Sequence, residues 1–147
     1  MTQFIRAPRA RVYRALTDAE SVQRWRVPDG MTSHVHFFDG REGGMYRVSL
    51  TYDAPDRSGK TSGRTDTHHG TFAKLVPDTQ VVEVLEFETD NPALQGEMTI
   101  RFTLREVPGG TELLAEHENV PDVVPPADNE LGWKMSLGKL AKLVENG

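Results

Sequence analysis

The feature that most constrains this chain is a change in the period of its apolar residues. Near the N-terminus Val12, Ala15, Leu16 and Ala19 recur three and four residues apart, the spacing of one helical face. Further on the period becomes two. Tyr46, Val48, Leu50 and Tyr52 alternate with Arg47, Ser49 and Thr51, and Met98, Ile100, Phe102 and Leu104 alternate with Thr99, Arg101, Thr103 and Arg105. Such runs are strands with one face on a core and one face in water. At the C-terminus the helical period returns, with Trp133, Leu137, Leu140 and Val144 on one stripe. A run of strands with helices at its two ends is an α+β arrangement.

Turn chemistry divides the run. Pro8 reads as the first residue of a helix, where a missing N–H costs nothing. Thr17 and Glu20 match a capping box, so a second short helix carrying Val22 and Trp25 starts there. Pro28, Asp29 and Gly30 end it. Strands follow over about Ser33–Phe38, Tyr46–Tyr52, Thr67–Val76, Val81–Glu88, Met98–Arg105 and Thr111–His117. Asp39–Gly44, Pro77–Asp78 and Pro108–Gly110 supply the turns. The polar stretch Ala54–Asp66 reads as a long hairpin loop, and its part from Arg57 to Asp66 as a solvated tip or a lid. The last helix runs from about Asp128 to Glu145. Leu131 and Met135 fall almost opposite its apolar stripe. They are covered by the Val120–Ala127 loop or touch a partner such as a second copy of the chain.

The 147 residues suggest one domain spanning the whole chain, long enough to bury a core without disulfide or metal. With 17 basic and 22 acidic residues the net charge is −5, which argues against a nucleic-acid partner. The chain has no cysteine, which excludes thiol catalysis, thiolate metal sites and disulfides. No apolar run approaches the roughly 18 residues of a membrane span, and Met1–Arg6 lacks the apolar stretch of a signal peptide. A cytoplasmic location is the default expectation.

A single amphipathic helix laid on a curved sheet leaves a gap, and pockets form in such gaps. The order of the motifs also resembles a known family. Ala7-Pro8 leads to Val12-Tyr13-Arg14-Ala15-Leu16-Thr17-Asp18 and then Trp25. Asp39-Gly40-Arg41-Glu42-Gly43-Gly44 precedes a long strand, and Gly70 lies in a strand leading to Pro77. Gly110-Thr111-Glu112-Leu113 opens the last strand, His117 closes it, and Gly132-Trp133 lies on the final helix before Leu137, Leu140 and Ala141. Together these resemble the SRPBCC, or START-like, superfamily, and within it the family named for the C-terminal domain of the activator of Hsp90 ATPase. The resemblance covers nearly the whole chain. It implies a helix-grip fold, with a curved antiparallel sheet of about seven strands around the C-terminal helix. It also implies a hydrophobic small molecule in the cavity between them. A polyketide cyclase or hydratase-like enzyme is the alternative, as is a protein-interaction module like the Hsp90 activator. The chain has no room for that activator's additional N-terminal domain, which weakens the last reading. A binding role is preferred to catalysis.

On this reading the ligand-lining residues are Trp25, Tyr46, Val48, Leu50, Tyr52, Phe72, Ile100, Phe102, Leu113, His117, Trp133 and Leu137. The competing reading is that they pack as core. The tyrosines stand apart from the aliphatic residues, because a buried phenol needs a hydrogen-bond partner. His117 shares parity with Leu113 and Ala115, and His68 with Phe72, so alternation turns both inward. A neutral imidazole there serves as a base or a donor, or simply as a hydrogen-bonded strand end. His68, His117 and Tyr52 are the candidates for catalysis, and no triad spacing supports them. His34 and His36 lie on one strand face, but nothing fixes a third ligand at His68 or His69, so no metal is assigned. No cofactor is implied. The glycines of Asp39–Gly44 join strand to strand without a helix N-terminus, so they make a tight turn and not a phosphate loop. Arg101 and Arg105 face Glu112 and Glu116 across a hairpin as expected ion pairs.

Overall fold

The computed structural model describes residues 1–54 and 63–146. Strand β1 (Thr2–Ile5) is followed by helices α1 (Arg9–Thr17) and α2 (Ala19–Trp25). Strands β2 (Met31–Phe38), β3 (Met45–Tyr52), β4 (Thr65–Val76), β5 (Gln80–Phe87), β6 (Met98–Val107) and β7 (Gly110–Glu118) follow, and helix α3 (Pro126–Glu145) ends the chain. A 3-10 turn, Pro92–Leu94, links β5 to β6. The described residues form a seven-stranded antiparallel sheet in the order β1-β7-β6-β5-β4-β3-β2. This is the helix-grip α+β fold. Bulges between Val35 and Phe37 and between Phe72 and Lys74 increase the local twist of β2 and β4.

The three helices cover one face of the sheet. The α3 stripe of Trp133, Leu137, Leu140 and Val144 is buried, joined by Ser136 and Ala141. It meets the inner faces of Phe72, Val81, Leu85, Ile100, Phe102 and Leu113 in one apolar cluster. No helix among the described residues is long and apolar enough to cross a membrane.

Local differences from the sequence reading have simple causes. Asp18, not Thr17, caps α2: its carboxylate accepts from the Ser21 backbone N–H at 3.0 Å. Thr17 instead ends α1, donating its hydroxyl to the Tyr13 carbonyl at 3.1 Å, and Glu20 pairs with Arg24. Aspartate is as good a cap as threonine, and the one-residue ambiguity is set by where α1 stops. Pro8 stands at the cap of α1 and Arg9 is its first helical residue. Arg105 pairs with Glu112, but Arg101 reaches diagonally to Glu118 although Glu116 is its register partner. Met135 is half-buried. Its sulfur accepts from the backbone N–H of Asp29 at 3.4 Å, and Leu131 stays 53% exposed. The hairpin loop expected over Ala54–Asp66, with its lid, lies mostly at 55–62, outside the described residues. Asp66 itself is in β4 and buried.

Candidate functional site

A charged residue stands within the apolar inner stripe of β5. Val81, Glu83 and Leu85 alternate inward, and Glu83 is wholly buried. The cation that meets it comes from the other layer. Arg26 is the C-terminal cap of α2, where its backbone N–H bonds to the Val22 carbonyl. Its guanidinium Nη1 donates to Glu83 Oε1 at 2.8 Å, with side-chain exposures of only 11% and 0%. Two aromatic rings frame that guanidinium: Tyr46 at 5.8 Å and Trp133 at 5.6 Å to the ring centroids. The ion pair therefore ties α2 to the middle of the sheet beneath α3.

Sheet register brings further polar groups to the same layer. Glu83 lies opposite Ile100, and Ile100 opposite His117, so Glu83 and His117 share one row across β5, β6 and β7. Tyr46 lies opposite Gly70 in the neighbouring row. A Cβ at Gly70 would come within 2.6 Å of the Tyr46 ring, so glycine is what lets the phenol lie across β4. The Tyr46 ring packs against His68, Phe72 and Phe38 at 5.9, 5.4 and 5.7 Å.

Hydrogen bonding fixes the His117 tautomer. The Trp133 indole N–H donates to His117 Nδ1 at 3.1 Å, and the Asn129 amide meets the same atom at 3.2 Å. An indole can only donate, so Nδ1 is the acceptor and the proton of the neutral ring sits on Nε2. That Nε2–H is buried and has no partner. Tyr46 Oη and Glu83 Oε2 are buried without a partner of close geometry, but the phenol lies beside Glu83 and Arg26 and shares looser side-chain hydrogen bonds with both. A fourth such atom, Ser33 Oγ, lies on β2 opposite Leu50.

The protonation states follow from burial. Desolvation, and then the Arg26 charge, push His117 down to about 4. Desolvation, then Arg26, push His68 down to about 3. Burial and then Glu83 raise the Tyr46 phenol well above its ordinary value, against the pull of Arg26. For Arg26 burial acts downward, but the Glu83 charge outweighs it and the guanidinium is held more firmly protonated. Near neutral pH the cluster thus holds one cation, one anion, two neutral imidazoles and a protonated phenol.

Pockets open at the surface among the described residues. One, of about 510 Å³, lies between α2 and the end of α3, lined by Arg24, Lys139, Lys142, Leu143 and Asn146. Another, of about 630 Å³, lies between β7, the segment before α3 and the first turns of α3. His117 and Asn129 line this second pocket, so it adjoins the buried polar cluster.

The structure sorts the residues singled out from the sequence. Tyr46, His68, His117 and Trp133 gather around Arg26. Trp25, Phe72, Ile100, Phe102, Leu113 and Leu137 pack on one another in the core. The Trp25 indole N–H is already used by the Ala15 carbonyl at 2.9 Å. Val48 is buried, while Leu50 and Tyr52 are half-buried towards the far end of β3. Tyr52 is six residues from Tyr46, roughly 20 Å along the strand, and does not join the cluster. His34 and His36 are exposed and meet edge to face at 4.6 Å. His69 turns to the outer face between Glu86 and Glu88, opposite in direction to His68. Among the described residues no group of His, Asp and Glu is placed to hold a metal ion.

Sequence reasoning missed Arg26, Glu83 and Asn129. Glu83 carried a readable signal, since period-two alternation through Val81 and Leu85 turns a carboxylate inward. Arg26 carried none, because its partner lies 57 residues away on another layer.

Comparison with known proteins follows the same architecture. The family model described as Activator of Hsp90 ATPase homolog 1-like protein matches residues 6–145. A crystal structure of a Chromobacterium violaceum protein is 33% identical, with a TM-score of 0.87, covering 99% of this chain and 94% of that one. A Rhodobacter sphaeroides protein is 20% identical at a TM-score of 0.79, covering 97% and 88% of the two chains. An AHSA1-like protein from Aeromonas hydrophila is 18% identical at a TM-score of 0.68, covering 99% and 90%. The latter two bear on the fold alone. No curated protein matches the chain.

Proposed function

The chain belongs to the Activator of Hsp90 ATPase homolog 1-like family, within the SRPBCC superfamily, and on that premise we propose that it binds a small, largely apolar molecule between the sheet and α3. The observation that carries this reading is the pocket of about 630 Å³ beside α3, lined by His117, whose buried Nε2–H has no protein partner. A buried donor left unsatisfied costs about 1–3 kcal/mol, so a bound group that accepts from it is stabilised in turn. The apolar residues of the gap already pack on one another. The ligand's place is therefore the end of the gap where the pocket beside α3 meets His117. Its body lies against Val120, Val124 and Pro126 in that pocket and its polar end reaches His117.

Native mass spectrometry of freshly purified protein, beside a denatured control, tests the reading. The expected result is an extra mass that disappears on denaturation and is lost in a His117→Ala variant. A bare mass, together with a Trp133 indole signal unmoved across a screen of small apolar molecules, refutes it.

The convergence of Tyr46 and two neutral histidines on one layer favours proton transfer to a bound molecule as the second reading. Turnover of a bound ketone or enol by the wild type, abolished in Tyr46→Phe, distinguishes it from simple binding.

A further inference from the structure

We infer that the groove between α2 and the end of α3 binds the phosphate of a phosphomonoester. This goes beyond the binding role proposed above, which concerns the pocket at His117. Local spacing builds the groove. Lys139, Lys142, Leu143 and Asn146 stand at i, i+3, i+4 and i+7, one face of α3 and its C-cap, and Arg24 of α2 closes the other side. This lining holds three cations and no carboxylate. The chain as a whole runs the other way, with 22 acidic residues against 17 basic. Like charges gathered on neighbouring helices repel one another, so an anion between them stabilises the arrangement.

The groups around the groove do not use these cations up. Arg24 pairs with Glu20 of its own helix at 2.9 Å, and Lys139 with Asp29 at 3.1 Å. Those carboxylates are 77% and 71% exposed, so both pairs sit in water and contribute little. Among the described residues Lys142 has no ion-pair partner. Capping of the helix ends does not account for the cations either. The Arg26 N–H takes the Val22 carbonyl, the Arg11 guanidinium that of Val144, and the Asn146 N–H that of Lys142. Lys139 meets the Val27 carbonyl at 2.6 Å, beyond the end of α2. An ammonium has three hydrogens and a guanidinium five N–H groups, so Lys139 and Arg24 keep donors for a ligand.

The donor set fits phosphate better than a carboxylate. A phosphomonoester brings three terminal oxygens and a charge of about −1.5 to −2 near neutral pH. A carboxylate brings two oxygens and one charge. Three separate cations, with the Asn146 amide beside them, match the former. The volume of about 510 Å³ leaves room for the body of the ester, and Leu143 gives that body an apolar contact.

The probe is phenyl phosphate, titrated into the full chain while the backbone amides of residues 139–146 are followed by NMR. Constant ionic strength removes general screening. Saturable shifts confined to α2 and the end of α3 are expected, with a Kd of about 1 mM. Lys142→Gln and Arg24→Gln should each weaken binding at least about fivefold. Lys142→Arg should keep it, and Lys134→Ala, on α3 outside the groove, should leave it unchanged. All three positions are exposed, so substitution leaves the fold intact. Vesicles of phosphatidate beside vesicles of phosphatidylcholine identify the source of the phosphate. Sedimentation with phosphatidate that is lost in Lys142→Gln assigns a lipid headgroup, and binding of phenyl phosphate without sedimentation assigns a soluble ester. Benzoate that binds as tightly as phenyl phosphate overturns the phosphate assignment. No saturable shift up to about 20 mM phenyl phosphate, or shifts that survive both glutamine variants, overturns the inference and leaves the reading of the His117 pocket untouched.

Discussion

Gly70→Ala isolates the packing that holds the Tyr46 phenol in place. A Cβ at residue 70 would lie 2.6 Å from Tyr46 Cε1, 2.7 Å from Oη and 2.8 Å from Cζ. Ordinary contact needs about 3.5–4.0 Å, so the ring must retreat by close to an ångström. It has nowhere to go: Phe38 stacks on one side at 5.7 Å, Phe72 and His68 stand edge-on at 5.4 and 5.9 Å, and Arg26 lies over the ring at 5.8 Å. Overpacking of this kind costs about 1–3 kcal/mol. Replacing glycine by alanine returns about 0.4–1 kcal/mol through the unfolded chain, and Gly70 has no left-handed backbone to penalise alanine. The net expectation is a loss of about 1–2 kcal/mol, a fall of roughly 2–8 °C in Tm for a domain of this size. Gly138→Ala is the control. It sits in α3 with nothing within 4 Å of its would-be Cβ, so helix propensity should raise stability by up to about 1 kcal/mol. Thermal and urea unfolding of both variants is the assay. In a Tyr46→Leu background, which removes all three contacted atoms, Gly70→Ala should be nearly neutral. Equal losses in both backgrounds, or a Gly70→Ala protein as stable as the parent, would show that Tyr46 is not wedged as described.

Three further outcomes are expected. Glu83→Ala leaves a buried guanidinium unmatched and should cost about 3–5 kcal/mol in urea unfolding, whereas the joint change Arg26→Met with Glu83→Leu should recover most of it; a mild loss for Glu83→Ala contradicts the buried pair. His68 and His117, held down to about 3 and about 4 when folded, take up protons more readily when unfolded. The unfolded chain therefore binds more protons below about pH 6.5, so their contribution is fully present above that pH and is lost as pH falls towards 4, at up to about 1.4 kcal/mol per pH unit for each histidine. A stability profile flat from pH 7 to pH 5, or one unaltered in His68→Gln, argues against neutral buried rings. Trp133→Phe removes the donor that locks His117, and ¹⁵N NMR should then show the ring proton shared between Nδ1 and Nε2; an unchanged tautomer would mean Asn129 alone sets it.

The parts of the fold legible in the sequence are those governed by local period. The alternation through Tyr46–Tyr52 and Met98–Leu104 reports which face of each strand is wet, and both appear as β3 and β6 with that polarity. The stripe on α3 is legible for the same reason, since a helix repeats its buried face within a few residues. Capping is less so. Thr17 and Asp18 are both good caps, and Asp18 is the one used because α1 continues through Thr17.

The candidate site divides along the same line. Parity alone turns His117, His68 and Tyr46 inward, because a strand's side chains alternate whatever lies across from them. Glu83 is turned inward by the same rule, yet a carboxylate in an apolar stripe has no local reason to be there. Its reason is Arg26, carried on α2 in the other layer and brought to 2.8 Å by the packing of the helices on the sheet. Sequence by itself determined the strands, the gripping helix and the inward direction of the polar side chains, through periods that need only near neighbours. Tertiary structure alone decided which charges meet, which nitrogen of His117 keeps its proton and which buried atoms stay unpaired, because each depends on groups far apart in the chain and close only once it has folded.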